Sequence, residues 1–186
     1  MKTEAPESMY GPWDYRQQKA QWPYDDTASY RIAAEWLAGR GLIEDWGCGT
    51  AWLKRYLPEG AEYHGLDGAW SRWCDEQVDL RTYTSTVPCI AMRHVLEHNF
   101  QWRAIAANFA ASWTNRAALV MFIPPQAEEH DTGGPEWPVP DIAVSGPDLF
   151  SILDPHGDVT FDYVDLEYPP DNSIQWGWEG VILMQR

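Results

Sequence analysis

Apolar positions along this chain switch between helical and strand spacing, and their order predicts a protein in which strands and helices alternate. Residues 28–39 (ASYRIAAEWLAG) set Ile32, Ala33, Trp36 and Leu37 at helical spacing. Asp26-Thr27 ahead of them is a start signal, and Gly39 or Gly41 closes the helix. The run at 42–46 predicts a first strand, and a helix over 51–57 ends before Pro58. A second strand is expected at 61–66, a short helix at 69–77, a stunted third strand at 78–80 and a fourth at about 88–93. From about 97 to 112 the chain is amphipathic, with Phe100, Ile105, Phe109 and Trp113 as the apolar face and Asn115 closing it. ALVMFI (118–123) is continuously apolar, as a parallel strand buried on both faces would be.

The character changes at residue 124. Residues 124–145 hold five prolines and two glycines, too long a stretch for an ordinary connection, which predicts a lid or binding loop. A short helix follows at 146–153, started by Ser145 with Pro147 in its first turn. Residues 158–168 alternate apolar and polar as a strand does, and 181–185 (VILMQ) form the last strand. Two strands in succession predict an antiparallel hairpin at the end. The expected fold is α/β: a three-layer αβα sandwich whose seven-stranded, mostly parallel sheet carries a C-terminal antiparallel hairpin. A ligand of such a sheet lies across the carboxyl ends of the strands. One domain over 1–186 is expected, with 1–12 a loose polar arm and 13–24 a short aromatic helix over the ligand mouth.

Candidate chemistry sits where the first two strands end. Residues 42–51 read LIEDWGCGTA, and Asp67 follows within YHGLDG (63–68). Gly47 and Gly49 let the backbone turn sharply and approach a ligand where a side chain would clash. A helix beginning near Ala51 would aim its free N–H groups at that ligand. Asp67 at the tip of the second strand is placed to accept from the two hydroxyls of a ribose. Gly68 keeps a side chain out of the nucleoside's path.

These residues resemble class I S-adenosylmethionine-dependent methyltransferases. Asp45, Gly47, Cys48 and Gly49 match the first motif of that family, with Ala51 in place of its last glycine, and YHGLDG is similar to the second. AMRHVLEH (91–98) and LVMFIPP (119–125) resemble the strand–helix–strand that ends the family's cofactor half. The resemblance covers roughly residues 25–125, and makes 1–24 an arm or lid and 126–186 the substrate side. It implies S-adenosylmethionine as cofactor and a small-molecule methyl acceptor. It assigns Asp45, Gly47, Cys48 and Gly49 to the methionine end and Asp67 and Gly68 to the ribose. Asp79 and Leu80 would meet the adenine, and Arg93 would face the sulfonium. His94 beside it is the candidate base, because its reference pKa lies near neutrality. A dinucleotide-binding oxidoreductase is the competitor, but GCGTAW sets Trp52 where that fingerprint wants a third small residue. A third reading keeps the fold without catalysis, as a partner-binding module. HVLEH (94–98) also matches the H-x-x-E-H zinc-protease signature, but the parallel-strand context points elsewhere. Some methyltransferases bind a divalent ion through E-x-x-E-H at this place; His94 stands for the first glutamate here, and no metal is expected. Glu97 reads as an acid at a helix start.

Composition narrows the partners. With 28 acids against 13 bases the formal charge is −15, which repels phosphate and disfavours nucleic acid. Twelve tryptophans and nine tyrosines supply core and flat-ligand surfaces. Among them Trp13, Tyr15, Trp137, Trp176 and Trp178, with His130 and Asp131 of the long loop, are the candidate acceptor walls. Three cysteines, Cys48, Cys74 and Cys89, form no disulfide framework and suggest a reducing, cytoplasmic setting. No 18-residue apolar run predicts a membrane span.

Overall fold

The computed structural model describes Trp13, Tyr15, Ala20 and Gln21 and residues 27–133, 139–165 and 177–186. Most of the expected arm and N-terminal helix, together with Trp137 and Trp176, lies outside the described residues. Helix α1 (Ala28–Leu37) leads into strand β1 (Ile43–Trp46), and β2 (Tyr63–Asp67), β3 (Glu76–Gln77) and β4 (Val87–Arg93) follow. Helix α2 (Trp102–Ser112) runs directly into β5 (Trp113–Met121). A two-residue pair, β6 (His130–Asp131) and β7 (Ile142–Ala143), sits within the long loop. Helix α3 (Gly146–Leu153), β8 (Asp158–Asp165) and β9 (Trp178–Gln185) complete the chain.

Seven strands form one sheet in the order β3-β2-β1-β4-β5-β9-β8. Pairings from β3 to β5 are parallel, and β9 runs against both β5 and β8. The connections right of β1 and left of β1 diverge, so the strand order switches between β1 and β4, where open α/β sheets bind ligands. The C-terminal hairpin is β8–β9. It inserts its second strand between β5 and β8, and this sets the first residues of β9 beside the carboxyl ends of the parallel strands: Met121 pairs with Gly180.

Both sheet faces are covered. Trp46, Leu66, Ile90, Met92 and Leu119 pack with Trp102, Ile105 and Phe109 of α2 and Leu149 and Leu153 of α3. On the other face Ile43, Cys89, Ala91 and Ala118 meet Tyr30, Ala33, Ala34 and Leu37 of α1. Alternation along β4, with Ile90 on one side and Cys89 and Ala91 on the other, is what strand geometry requires. Central β1 is buried throughout, Glu44 included. That carboxylate is satisfied by Trp46 Nε1 at 2.9 Å, Ser85 Oγ at 3.0 Å and Tyr83 OH at 3.2 Å, as a buried acid must be.

Several elements differ from expectation. The helix expected over 51–57 is a single 3-10 turn, Leu53–Arg55. Ala51 has a left-handed φ of 55°, so the glycine turn continues past Gly49 and Pro58 leaves no room for an α-helix. The helix expected at 69–77 does not form, because the segment returns to β2: Asp75 N donates to Gly65 O and Asp75 Oδ2 accepts from Gly65 N. The third strand is at Glu76–Gln77 rather than 78–80. The run 97–112 divides into a 3-10 turn, Leu96–His98, and α2, with Asn99 extended between them. Phe100, expected on the apolar face, is 72 % exposed, and Trp102 takes the core position. Trp113 is buried as the first residue of β5, so Asn115 does not close the helix but lies in the strand. Ser145 caps α3 by accepting from Asp148 N at 3.3 Å.

Candidate functional site

The glycine turn is built around two features. Gly47 N and Cys48 N both donate to Leu66 O, at 2.8 and 2.9 Å, which ties the turn to the tip of β2. Gly47 has φ 78°, and a Cβ there would lie 2.2 Å from Val95 Cγ2, so only glycine fits. Asp67 then locks the turn: its Oδ2 accepts from Gly49 N at 2.7 Å and its Oδ1 from Ala69 N at 2.8 Å. Burial pushes its carboxyl up to about 6, and the backbone donors Ala69, Gly49 and Gly68 pull the other way. A carboxylate has about four lone-pair sites, so these backbone donors leave capacity for a ligand hydroxyl. A Cβ on Gly68 would meet Val78 O at 3.7 Å, an ordinary contact, so packing alone does not require glycine there.

Asp45 ends the same strand as the turn begins. Its Oδ2 accepts from Tyr63 OH at 2.7 Å. Burial pushes its carboxyl up to about 7; the Tyr63 bond opposes the rise, Asp67 adds to it, and Arg93 opposes it. Cys48 is buried, and the neighbouring Cys74 thiol together with burial holds it well above its ordinary pKa. It therefore stays a neutral thiol and supplies packing, not a nucleophile.

At the tip of β4 the chain places a charged cluster. Arg93 Nε donates to Ser29 Oγ at 3.0 Å and Nη1 to Tyr30 OH at 3.2 Å, and its guanidinium lies 4.2 Å from the Tyr30 ring centroid. Arg93 Nη2 also bonds Glu179 Oε1. His94 Nε2 is 2.7 Å from that same oxygen. Burial alone would raise Glu179, but Arg93 and His94 outweigh it and hold its carboxyl down at about 2. His94 is one of two non-glycine residues with positive φ among the described residues, at 54°. Both, Ala51 and His94, follow parallel strands at the carboxyl edge. Such strain persists where the surroundings over-determine it, and it clusters at functional sites. Asp45 and Arg93 are the two charged residues lining a cavity of about 10 Å³, room for one water molecule, between α1 and the ends of β1, β4 and β5.

The structure thus brings Asp45, Gly47, Cys48, Gly49, Asp67 and Gly68 together, with Arg93 and His94 one strand away. Asp79 is elsewhere engaged: Arg81 grips it through Nη2 at 2.6 Å and Nε at 2.8 Å and lowers its pKa. Because β3 forms two residues early, Asp79 falls in the following turn, and Leu80 is buried with its carbonyl taken by Asn108 Nδ2. The expected helix dipole at the turn is absent, since the 3-10 turn is too short to carry one. Glu97 is fully buried, and its Oε1 accepts from Phe122 N at 2.7 Å, so it caps the end of β5 rather than a helix start; burial pushes it up to about 7. Glu179, Ser29 and Tyr30 are the members that the sequence pattern missed. The one available signal was a lone acid heading the apolar run of the last strand.

Toward the substrate side, His98 stacks on Phe122 at 5.0 Å, and Trp13 packs against it at 5.0 Å. Tyr15 is buried, and Gln21 Nε2 donates to Thr50 O at 2.8 Å, so Gln21 is fastened to the glycine turn. His130 and Asp131 are exposed in β6, and Trp178 is 42 % exposed at the start of β9. Among the described residues no group of three or more His, Cys, Asp or Glu is placed to hold a metal ion. No helix among them is long and apolar enough to cross a membrane.

The sequence matches no family model and no curated protein. Solved structures match it throughout. The N-terminal domain of EvdMO1, solved with S-adenosylhomocysteine, aligns at TM-score 0.59 and 13% identity over 88% of this chain and 82% of that one. The 1,6-didemethyltoxoflavin-N1-methyltransferase of Burkholderia thailandensis, solved with its substrate and S-adenosylhomocysteine, aligns at 0.59 and 16% over 87% and 79%. Magnesium protoporphyrin IX methyltransferase of Synechocystis PCC 6803, also solved with S-adenosylhomocysteine, aligns at 0.58 and 15% over 96% and 91%. At such identities the likeness is one of fold. The chain has the class I methyltransferase fold.

Proposed function

We propose that this protein is an S-adenosylmethionine-dependent methyltransferase acting on a small molecule. The observation that carries the reading is Asp67: it stands at the tip of β2, fastened to Gly49 of a glycine turn, in a fold whose solved neighbours hold S-adenosylhomocysteine. Asp67 would hold the ribose hydroxyls, Gly68 would border the nucleoside, and Asp45 would take the α-ammonium. Gly47 and Gly49 let the backbone approach. Cys48 packs beneath them. Asp79 and Leu80, one turn beyond β3, would border the adenine. When bound, S-adenosylmethionine supplies an electrophilic methyl group on a sulfonium. The chain's own contribution is in-line positioning of the acceptor and removal of its proton, for which His94, at the tip of β4, is the candidate base. Glu179 holds one ring nitrogen of His94 and so sets its orientation. Asp45 and Asp67, the acids at the strand tips, form an acceptor set that fits an ammonium group and ribose hydroxyls.

Titration calorimetry with S-adenosylhomocysteine, with NADH as control, tests the assignment. Micromolar binding of the former alone is expected, and Asp67→Ala should weaken it roughly 10- to 100-fold, the loss of one or two hydrogen bonds to a charged group. Absence of binding at millimolar ligand would sink the reading. The net charge of −15 favours a second reading, a non-catalytic module of the same fold that binds a protein partner through its acidic surface. That reading requires no S-adenosylhomocysteine binding together with a stable complex on size exclusion.

A further inference from the structure

Two histidines stand at the carboxyl edge of the sheet, and both rings rest on Phe122: His94 edge-on at 5.3 Å and His98 stacked at 5.0 Å. His94 spends Nε2 on Glu179. His98 is held by its other nitrogen. Its Nδ1 lies 3.1 Å from Asp141 Oδ1 and 3.2 Å from Pro140 O, and a carboxylate and a carbonyl can only accept. The ring proton therefore sits on Nδ1, and Nε2 of the neutral ring carries the lone pair. No hydrogen bond reaches that nitrogen among the described residues, and the His98 side chain is 15 % exposed, open to a ligand. We infer that the methyl acceptor is a phenolic hydroxyl compound whose proton passes to His98 Nε2. The inference rests on the cofactor reading above. His94 is the candidate base by its position, and His98 is the better equipped by its bonds.

The surroundings of His98 suit it to take up a proton. Burial alone would lower its pKa, but Asp141, Glu97 and the Pro140 carbonyl outweigh burial and raise it. Glu97 is fully buried with its Oε2 free of any hydrogen bond, and a protonated His98 favours its ionised form. Thr132 N and Oγ1 both donate to Asp141 O, at 2.7 and 2.8 Å, so the long loop holds Asp141 as a positioning residue. During transfer Nε2 takes the hydroxyl proton while the acceptor oxygen bonds the methyl and the sulfur keeps the pair of the broken bond. The positive charge of the sulfonium thereby ends on an imidazolium beside two acids. An amine sheds its proton to water before it attacks and gains little from such a base, whereas a hydroxyl keeps its proton until the new bond forms. Phe122 and Trp13 both pack on the His98 ring, and this aromatic wall suits a flat ring bearing that hydroxyl.

The probe is para-nitrophenol, whose visible phenolate band reports its ionisation directly. With S-adenosylhomocysteine bound and the buffer held below the phenol's own pKa, the wild-type protein should intensify that band, and His98→Gln should lose the effect. Nitrogen-resolved NMR of the histidine rings should find neutral His98 with its proton on Nδ1. In Asp141→Asn, a milder change whose folding thermal melts verify, the His98 midpoint should fall, because the ring loses a charged partner. A neutral ring protonated on Nε2 overturns the inference. So does a band that the wild-type protein leaves unchanged, or an increase that survives His98→Gln, as it would if His94 took the proton. Each of these outcomes leaves cofactor binding intact. Failure of S-adenosylhomocysteine to bind the wild-type protein in calorimetry overturns the cofactor reading, and this inference with it.

Discussion

Two carboxyls at the strand tips, Asp45 and Asp67, are poised differently by their surroundings. Asp67 receives two backbone N–H groups, and burial raises it to about 6; Asp45 receives one phenol, and burial raises it to about 7. An ammonium ligand binds the ionised form of Asp45, so at neutral pH its arrival expels a proton from the fraction still protonated. Affinity for S-adenosylhomocysteine is therefore expected to fall as pH drops from 8 to 6, and calorimetry in buffers of different ionisation enthalpy should reveal the released proton. An affinity that is flat over that range would contradict the role given to Asp45. Gly47 supplies a test of the turn itself. Alanine there meets Val95 Cγ2 at 2.2 Å and must adopt φ 78°. Gly47→Ala should cost about 2–5 kcal/mol in urea unfolding, from overpacking and left-handed strain together.

Among the elements, the segment after β4 shows how a periodic pattern can mislead. Phe100, Ile105 and Phe109 share helical spacing in the sequence, yet α2 starts only at Trp102. The break has a local cause. Asn99 turns extended and its amide donates to Val95 O, and Glu97 bends away to serve β5. Phe100 is left in solvent and Phe109 in the core. Phe109→Ala should cost about 3–5 kcal/mol, and Phe100→Ala less than about 0.5, in chemical denaturation. Equal costs would mean that the helix reaches back over Phe100. The 3-10 turn at Leu53–Arg55 shows a similar limit. Pro58 ends any helix in GTAWLKRYLP, and the left-handed Ala51, set by the contacts of the turn, delays its start, so only the 3-10 turn remains.

At the scale of the whole molecule, charge and burial act together. Asp45, Asp67 and Glu97 have folded values of about 7, 6 and 7, above their ordinary values of 3.8, 3.8 and 4.5. A raised carboxyl binds more protons folded than unfolded, so its contribution to stability is full below the ordinary value and is lost as pH rises through the folded one. Glu179 has the opposite sign; lowered from 4.5 to about 2, its contribution fails only as pH falls below about 4.5. Net charge of −15 adds repulsion that eases on acidification. The melting temperature of the unliganded protein is thus expected to rise as pH falls from 8 to 5 and to decline only below about 3.8, where the raised carboxyls have given their full contribution and Glu179 is still losing its own. A midpoint that falls steadily from pH 8 to 5 would show that these carboxyls are not buried as described.

The glycine turn, the acid at the tip of β2, the central apolar strands and the C-terminal hairpin were all legible along the chain. Each depends on residues near one another in sequence: backbone freedom at glycine, periodic burial, and the run of apolar side chains that a central strand needs. The cluster around Arg93 was not legible. Its partners come from α1 and from β9, and Glu179 stands 85 positions from the histidine it touches. No local rule pairs residues so far apart. The pairing exists because β9 runs antiparallel between β5 and β8, which sets the first residues of β9 where the parallel strands end. Local chemistry determined where a ligand could be approached; strand order alone decided which charges face it.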